Sequence, residues 1–104
     1  MASTKEYLDY VLEQLSEVDG LRYRPMMGEY LIYCRNRLVG GVYDDRLLVK
    51  PTKSALALLP DAPREEPYPG GRPMLLVTEM ENKRLLQELL EAMADEVKEG
   101  LTFS

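Results

Sequence analysis

Residues 21–50 decide the fold, and they read LRYRPMMGEYLIYCRNRLVGGVYDDRLLVK. Apolar and polar residues alternate through this stretch in short runs, which is typical of strands joined in hairpins. Asn36 suits one turn and the pair Asp44 and Asp45 the next, because short polar side chains tolerate unusual backbone angles. Three glycines indicate bulges or close approach of two backbones: Gly28, Gly40 and Gly41. We predict an antiparallel meander with these strands: Leu21 to Met27, Tyr30 to Cys34, Leu38 to Tyr43 and Arg46 to Lys50.

Helices are predicted on both sides of the meander. Ser3 and Glu6 have the spacing of a capping box, so a first amphipathic helix should begin at Ser3. Thr52 could cap a short helix over Lys53 to Leu59. Glu81 to Lys98 shows the clearest helical pattern in the chain, with leucines along one face and charged residues on the other.

Pro60 to Pro73 has a different texture, because five of the seven prolines lie in it together with Gly70 and Gly71. This composition predicts a stiff, extended loop. Loops of this length are either functional or cover the edge of a sheet. A short apolar strand, Met74 to Val77, should follow it.

These elements predict one domain over residues 1–104 in the order α-β-β-β-β-α-β-α. The order implies a two-layer α+β fold, with an antiparallel sheet of about five strands and helices mainly on one face. Pro25 places the first strand at a sheet edge or bulge. The second strand is apolar on both sides, so the second sheet face should be covered by a partner subunit or by the proline-rich loop.

Composition restricts the cellular compartment and the class of partner that we expect. Cys34 is the only cysteine and the longest apolar run has five residues, so we expect a cytoplasmic protein without a membrane segment. The net charge of −5 argues against direct binding of nucleic acid. Residues 21–60 nevertheless carry seven bases against three acids, so basic charge is concentrated in the meander.

The sequence contains no recognisable catalytic motif. Histidine is absent, which removes the commonest general base and metal ligand, and we predict no enzymatic activity, no cofactor and no metal site. Cys34 could serve as a nucleophile, but we interpret it as a buried, small apolar residue. Asp44 and Asp45 could hold a cation, but we interpret them as turn-forming residues because no third ligand lies at a suitable spacing.

Basic residues of the meander and the helix after it are candidates for a binding site. If they converge, they would form a patch for an anion or an acidic partner surface. The alternative is that they are ordinary solvated residues that protect a strand edge. The candidates are Arg22, Arg24, Arg46, Lys50 and Lys53.

Two segments resemble the N-terminal domain of the TfoX/Sxy family of competence regulators. They are Met26-Met27-Gly28-Glu29-Tyr30 and Leu47-Leu48-Val49-Lys50-Pro51. The resemblance covers nearly the whole chain and implies a small α+β domain of the kind grouped with secretion-chaperone-like folds. Better-understood members look like transcriptional co-regulators of DNA-uptake genes and carry a C-terminal helical domain, whereas we expect this chain to be a stand-alone N-terminal domain. The resemblance implies no catalytic residues.

We therefore expect a non-enzymatic regulatory or interaction module, linked through the resemblance to transcriptional regulation of competence. Its partner should be another protein, and a second copy of the chain is a further candidate because the second sheet face is apolar. The alternative is a binder of a small anionic ligand or nucleotide through the basic patch. Direct nucleic-acid binding and an unrecognised enzymatic site are the remaining hypotheses.

Overall fold

Two-residue turns build the meander in a computed structural model that describes residues 2–98. Met26 pairs with Glu29 across the first turn, and Cys34 pairs with Arg37 across the second. Both central residues of every turn have positive φ, between 52° and 87°, as turns that match the twist of a hairpin require. The four strands are β1 (Leu21–Met26), β2 (Glu29–Cys34), β3 (Arg37–Val42) and β4 (Leu47–Val49).

Two short strands complete the sheet within the described residues. They are β5 (Arg64–Glu65) and β6 (Met74–Leu76). The sheet has the order β1-β2-β3-β4-β6-β5, and every neighbouring pair is antiparallel. The α+β fold with an antiparallel sheet is confirmed, with six strands where about five were predicted. The additional strand is β5, which lies inside the predicted loop and adds a sheet edge.

Within residues 2–98, three helices begin at polar caps: α1 (Lys5–Gln14), α2 (Lys53–Leu58) and α3 (Lys83–Ala94). The prediction that Thr52 caps α2 is confirmed, because its hydroxyl accepts a hydrogen bond from the Ala55 N–H. The prediction that Ser3 caps α1 is wrong. Thr4 accepts from the Tyr7 N–H instead, because the hydroxyl of buried Ser3 is bonded to the Glu29 carboxylate.

The helices pack on one face of the sheet. Leu8 and Val11 of α1 and Leu89 of α3 are fully buried there against apolar residues of β2 to β4 and β6. The hydrophobic effect of this burial is the main force that holds the two layers together. No helix within residues 2–98 is long and apolar enough to cross a lipid bilayer.

The second sheet face has its own smaller apolar cluster. Tyr43, Leu48 and Met74 are buried in it, and Leu31 and Leu76 are partly buried against them. The segment after β5 turns back toward this face. Pro67 is buried, and the Tyr68 ring lies 6.3 Å from the Tyr43 ring, centroid to centroid. The proline-rich loop therefore supplies part of the cover that the sequence required.

Two adjacent glycines let β3 approach its neighbours closely. A Cβ on Gly40 would overlap the carbonyl oxygen of Leu48. A Cβ on Gly41 would lie 2.6 Å from the Tyr43 ring and 2.8 Å from the Tyr30 carbonyl oxygen. The prediction of close backbone approach is confirmed at both positions, and the β2–β3 register shifts beside Gly40.

Candidate functional site

The edge strand β1 is the most exposed strand of the sheet. It pairs with β2, and no described strand pairs with its other side. Five of its six residues are exposed. Tyr23 is 40% exposed, Met26 is 41% exposed, and Met27 in the following turn is 98% exposed. Side chains and backbone of this edge are therefore accessible to a partner.

The hydrogen-bond alternation of the hairpin indicates which backbone groups of β1 face outward. A two-residue turn makes Met26 and Glu29 a hydrogen-bonded pair, and such pairs recur at every second residue of an antiparallel ladder. We infer that the backbone groups of Leu21, Tyr23 and Pro25 point away from β2. Pro25 is tolerated here because its missing N–H belongs to this outward side.

Arg22 and Arg24 give the edge its charge. They lie at alternate positions of β1, so both project from one face of the sheet. The register places Arg24 beside Leu31, which in turn lies beside Gly41 and Leu48. The two guanidinium groups therefore belong to the second sheet face, at the border of its apolar cluster.

Glu29 holds the tip of the β1–β2 hairpin in place. Its carboxylate accepts hydrogen bonds from the Ser3 N–H at 3.0 Å, the Ser3 hydroxyl at 2.7 Å and the Asp44 N–H at 3.2 Å. The Ser3 N–H also lies 3.0 Å from the Gly28 carbonyl oxygen. One carboxylate thus ties the N-terminal segment to two hairpin turns.

The structure does not gather the five predicted basic residues into one place. Arg46 lies 2.7 Å from the Glu65 carboxylate and donates hydrogen bonds to the carbonyl oxygens of Glu66 and Pro67, so it anchors the proline-rich loop. Lys53 begins α2 on the helical side of the protein. There, hydrogen bonds from Ser54 and a smaller contribution from Lys53 hold the pKa of Glu96 below its usual range.

Lys50 lies in a different environment from the other predicted bases. It lines a cleft of about 550 Å³ between the second sheet face and residues 67–74. Arg72 lines the same cleft, and so do Tyr43 and Tyr68. Sequence reasoning missed Arg72 because nothing in the spacing along the chain relates it to Lys50; the folding of the loop onto the sheet brings them together.

Cys34 has the environment of a structural cysteine. It is fully buried, and its thiol donates to the Asp19 carbonyl oxygen at 3.3 Å. Burial raises the pKa of the thiol, while the nearby Arg35 lowers it to a lesser extent. The thiol is therefore held in its protonated form, which is the unreactive one.

The aspartates of the third turn have structural roles. Asp44 and Asp45 both adopt left-handed backbone angles, and the Asp45 carboxylate accepts a hydrogen bond from the Thr4 N–H at 2.8 Å. Across residues 2–98, no three acidic, cysteine or histidine side chains are grouped so that they could hold a metal ion.

These features define a small α+β protein whose six-stranded antiparallel sheet carries helices on one face and an exposed edge strand. The chain is 30% identical over 95 residues to the uncharacterized 12.7 kDa protein in the trpE 5′ region of Spirochaeta aurantia. The match covers 90% of this chain and 83% of the relative, and the chain belongs to the family of that protein. No model of a protein family matches the chain, and no solved structure is significantly similar to it.

Proposed function

We propose that this protein is a non-enzymatic interaction module that binds an extended, acidic segment of a partner protein along β1. The observation that carries the proposal is the exposure of β1 on both faces and along its outer edge. An extended peptide can add a strand to such an edge, with main-chain hydrogen bonds for affinity and side-chain contacts for specificity.

Charge favours an acidic partner. Arg22 and Arg24 project from the same side of β1, two residues apart. An extended peptide with acidic residues at alternate positions would place a carboxylate opposite each guanidinium, and cross-strand pairs of opposite charge stabilise a sheet. Met26 and Met27 at the end of the strand add exposed apolar contact area near these charges, and Tyr23 adds apolar area on the opposite face of β1.

Charge also disfavours a second copy of the chain at this edge. In an antiparallel pairing of two β1 strands centred on Tyr23, Arg22 of each copy faces Arg24 of the other. Four guanidinium groups would then lie on one sheet face, and directly opposed like charges destabilise a sheet. The edge therefore suits a different protein better than it suits self-association.

The resemblance to the TfoX/Sxy N-terminal domain supports a regulatory setting for this interaction. We propose that the partner acts in transcriptional regulation of DNA-uptake genes, in the cytoplasm. In a strain that lacks this protein, transcripts of those genes should change when measured by RNA sequencing, and the wild-type gene should restore them. Unchanged transcripts would exclude the regulatory setting while leaving partner binding by β1 intact.

The binding proposal is tested with charge-reversed variants. The tagged Arg22→Glu/Arg24→Glu variant should lose at least about ten-fold of its affinity for the partner, since it replaces two attractive charge pairs, which couple by about 1.5 kcal/mol or more when close, with like charges. The control is Arg64→Glu/Arg84→Glu, which changes the net charge equally at exposed positions away from β1. Partners are captured from nuclease-treated lysate and their affinities measured with purified proteins. Equal binding by both double variants would exclude the β1 edge.

A further inference from the structure

The cleft between the second sheet face and the proline-rich loop has the dimensions and lining of a small-molecule site. Its volume of about 550 Å³ lies within the range in which proteins bind small ligands. Its lining combines apolar side chains with two cations, Lys50 and Arg72. No acidic side chain of the described part of the chain lines it. The charge of the lining therefore favours an anion.

The loop that forms one wall is built by a defined turn. Gly71 donates its N–H to the Tyr68 carbonyl oxygen at 2.9 Å, with Pro69 and Gly70 between them. Gly70 has a φ of 86°, and proline followed by a residue of positive φ is the arrangement of a type II turn. The turn presents Tyr68 and Gly71 to the cleft, and a Cβ on Gly71 would lie 3.1 Å from the Tyr68 ring.

Aromatic surface lies beside the cations. Tyr43 is buried at the base of the cleft, and Tyr68 stands beside it with 56% of its surface exposed. Exposed tyrosine in a cleft offers a planar face against which another ring can stack. The cleft therefore places basic residues beside enclosed aromatic side chains, whereas the basic residues of β1 lie on an open strand.

The loop is held in place from outside the cleft. The Arg46 guanidinium contacts the Glu65 carboxylate and the carbonyl oxygens of Glu66 and Pro67, immediately before Tyr68. Its Nε also donates to the Tyr43 carbonyl oxygen at 3.1 Å. Arg46 thus links the two tyrosine-bearing segments, and it is a positioning residue for the cleft.

We propose that this cleft binds a small anion in which an aromatic ring is linked to a phosphate or a carboxylate. The ring stacks on Tyr68, and Lys50 and Arg72 contact the anionic group. Arginine and lysine bind both phosphate and carboxylate, so Lys50 and Arg72 do not discriminate between these two anionic groups. The experiment tests a phosphate and a carboxylate separately. This site is separate from β1, and its occupancy does not depend on the partner proposed above.

The test is calorimetric titration of the full chain with two probes, adenosine 5′-monophosphate and 4-hydroxybenzoate. The ring and the anion of each probe are also titrated alone: adenosine and inorganic phosphate for the first probe, phenol and acetate for the second. We expect at least one probe to bind with a Kd below about 1 mM, and its separate parts to bind at least about ten-fold more weakly. Amide chemical shifts in NMR spectra should change at Gly70, Gly71 and Met74.

Single substitutions test the proposed roles of Arg72 and Tyr68 in the cleft. Arg72→Gln and Tyr68→Ala should each weaken binding of the successful probe at least about five-fold, while Arg84→Gln, an exposed base on α3, should leave the affinity unchanged. Unaltered amide spectra outside residues 67–74 would show that the variants remain folded. Absence of binding by both probes, or equal losses in Arg72→Gln and Arg84→Gln, would overturn the proposal.

Discussion

Glu29 is the residue on which the N-terminal segment and two hairpin turns converge. It belongs to the Met-Met-Gly-Glu-Tyr segment, whose Met27 and Gly28 form the first turn with φ angles of 52° and 87°. The segment therefore supplies both the turn of the β1–β2 hairpin and the carboxylate that bonds this turn to its neighbours. Both roles are structural.

Replacing this carboxylate should destabilise the protein. In Glu29→Gln the charge-assisted hydrogen bonds from the Ser3 N–H, the Ser3 hydroxyl and the Asp44 N–H are weakened or lost. We expect the free energy of unfolding to fall by about 1 to 3 kcal/mol, measured by urea denaturation at neutral pH. Glu66→Gln, at an exposed position, is the matched control. Equal stability of the two variants would mean that the Glu29 contacts contribute nothing.

Cys34 should make stability depend on alkaline pH. Burial raises the pKa of its thiol in the folded protein, so the unfolded chain loses this proton at a lower pH than the folded chain does. The free energy of unfolding should therefore fall as the pH rises above about 8.5, the ordinary pKa of a thiol. Urea denaturation of Cys34→Ala between neutral pH and pH 9.5 should show a smaller fall than the wild-type protein. An equal fall in the free energy of unfolding of both proteins over this pH range would show that ionisation of Cys34 is not the cause.

The first helix cap illustrates what sequence reasoning misses at the residue scale. Ser3 and Glu6 satisfy the spacing of a capping box, but Ser3 is bonded to Glu29, far along the chain. Thr4 stands next to Ser3 and provides an equivalent oxygen, so the helix begins one residue later. A local pattern cannot show which of two neighbouring hydroxyls a distant carboxylate will take.

At the scale of elements, Arg46 joins the β3–β4 hairpin to the proline-rich loop. Arg46→Met removes the pair with Glu65 and the bonds to the carbonyl oxygens of Glu66 and Pro67. Because the side chain is only partly exposed, we expect loss of about 1 kcal/mol of local stability. Hydrogen exchange of the Gly71 amide, which is bonded to Tyr68, should accelerate about five-fold.

The control for this prediction lies in the same molecule. The buried amides of β2 should keep their exchange rates in Arg46→Met, since the lost contacts are made to the loop and to the Tyr43 carbonyl oxygen, and none is made to β2. Arg84→Met, on the exposed side of α3, should change neither region. Uniform acceleration throughout the sheet would mean that Arg46 supports the whole fold and has no specific effect on the loop.

Elements whose own residues favour a structure could be predicted from the sequence. Elements that form only by pairing with residues distant in the chain could not. The turns at Asn36 and at Asp44 with Asp45 follow from residue types that accept positive φ. β5 has two residues, Arg64 and Glu65, and neither favours a strand. It exists because its backbone pairs with Leu75 and Met74. The cleft was unpredictable for the same reason, because Lys50 and Arg72 line a common cleft only after the loop folds onto the sheet.

At the scale of the whole molecule, the charges of β1 determine whether the sheet can continue into another chain. The helices occupy one face, and the proline-rich loop covers part of the other. The opposite edge ends in the two-residue strand β5, which offers little length for pairing. β1 turns the backbone groups of Leu21, Tyr23 and Pro25 outward, so it offers more backbone to an added strand than β5 does, although Pro25 has no N–H to donate.

A single charge reversal should turn this edge into a self-complementary one. In Arg22→Glu, antiparallel pairing of two β1 strands centred on Tyr23 would place the new carboxylate of each copy opposite Arg24 of the other. We expect this variant to form dimers at low ionic strength, measured by sedimentation velocity, and to dissociate as salt screens the pairs. The wild-type protein and Arg22→Glu/Arg24→Glu, which oppose like charges, should sediment as monomers. Equal association of all three proteins would show that β1 does not pair with an added strand, and the partner-binding surface would then have to lie elsewhere.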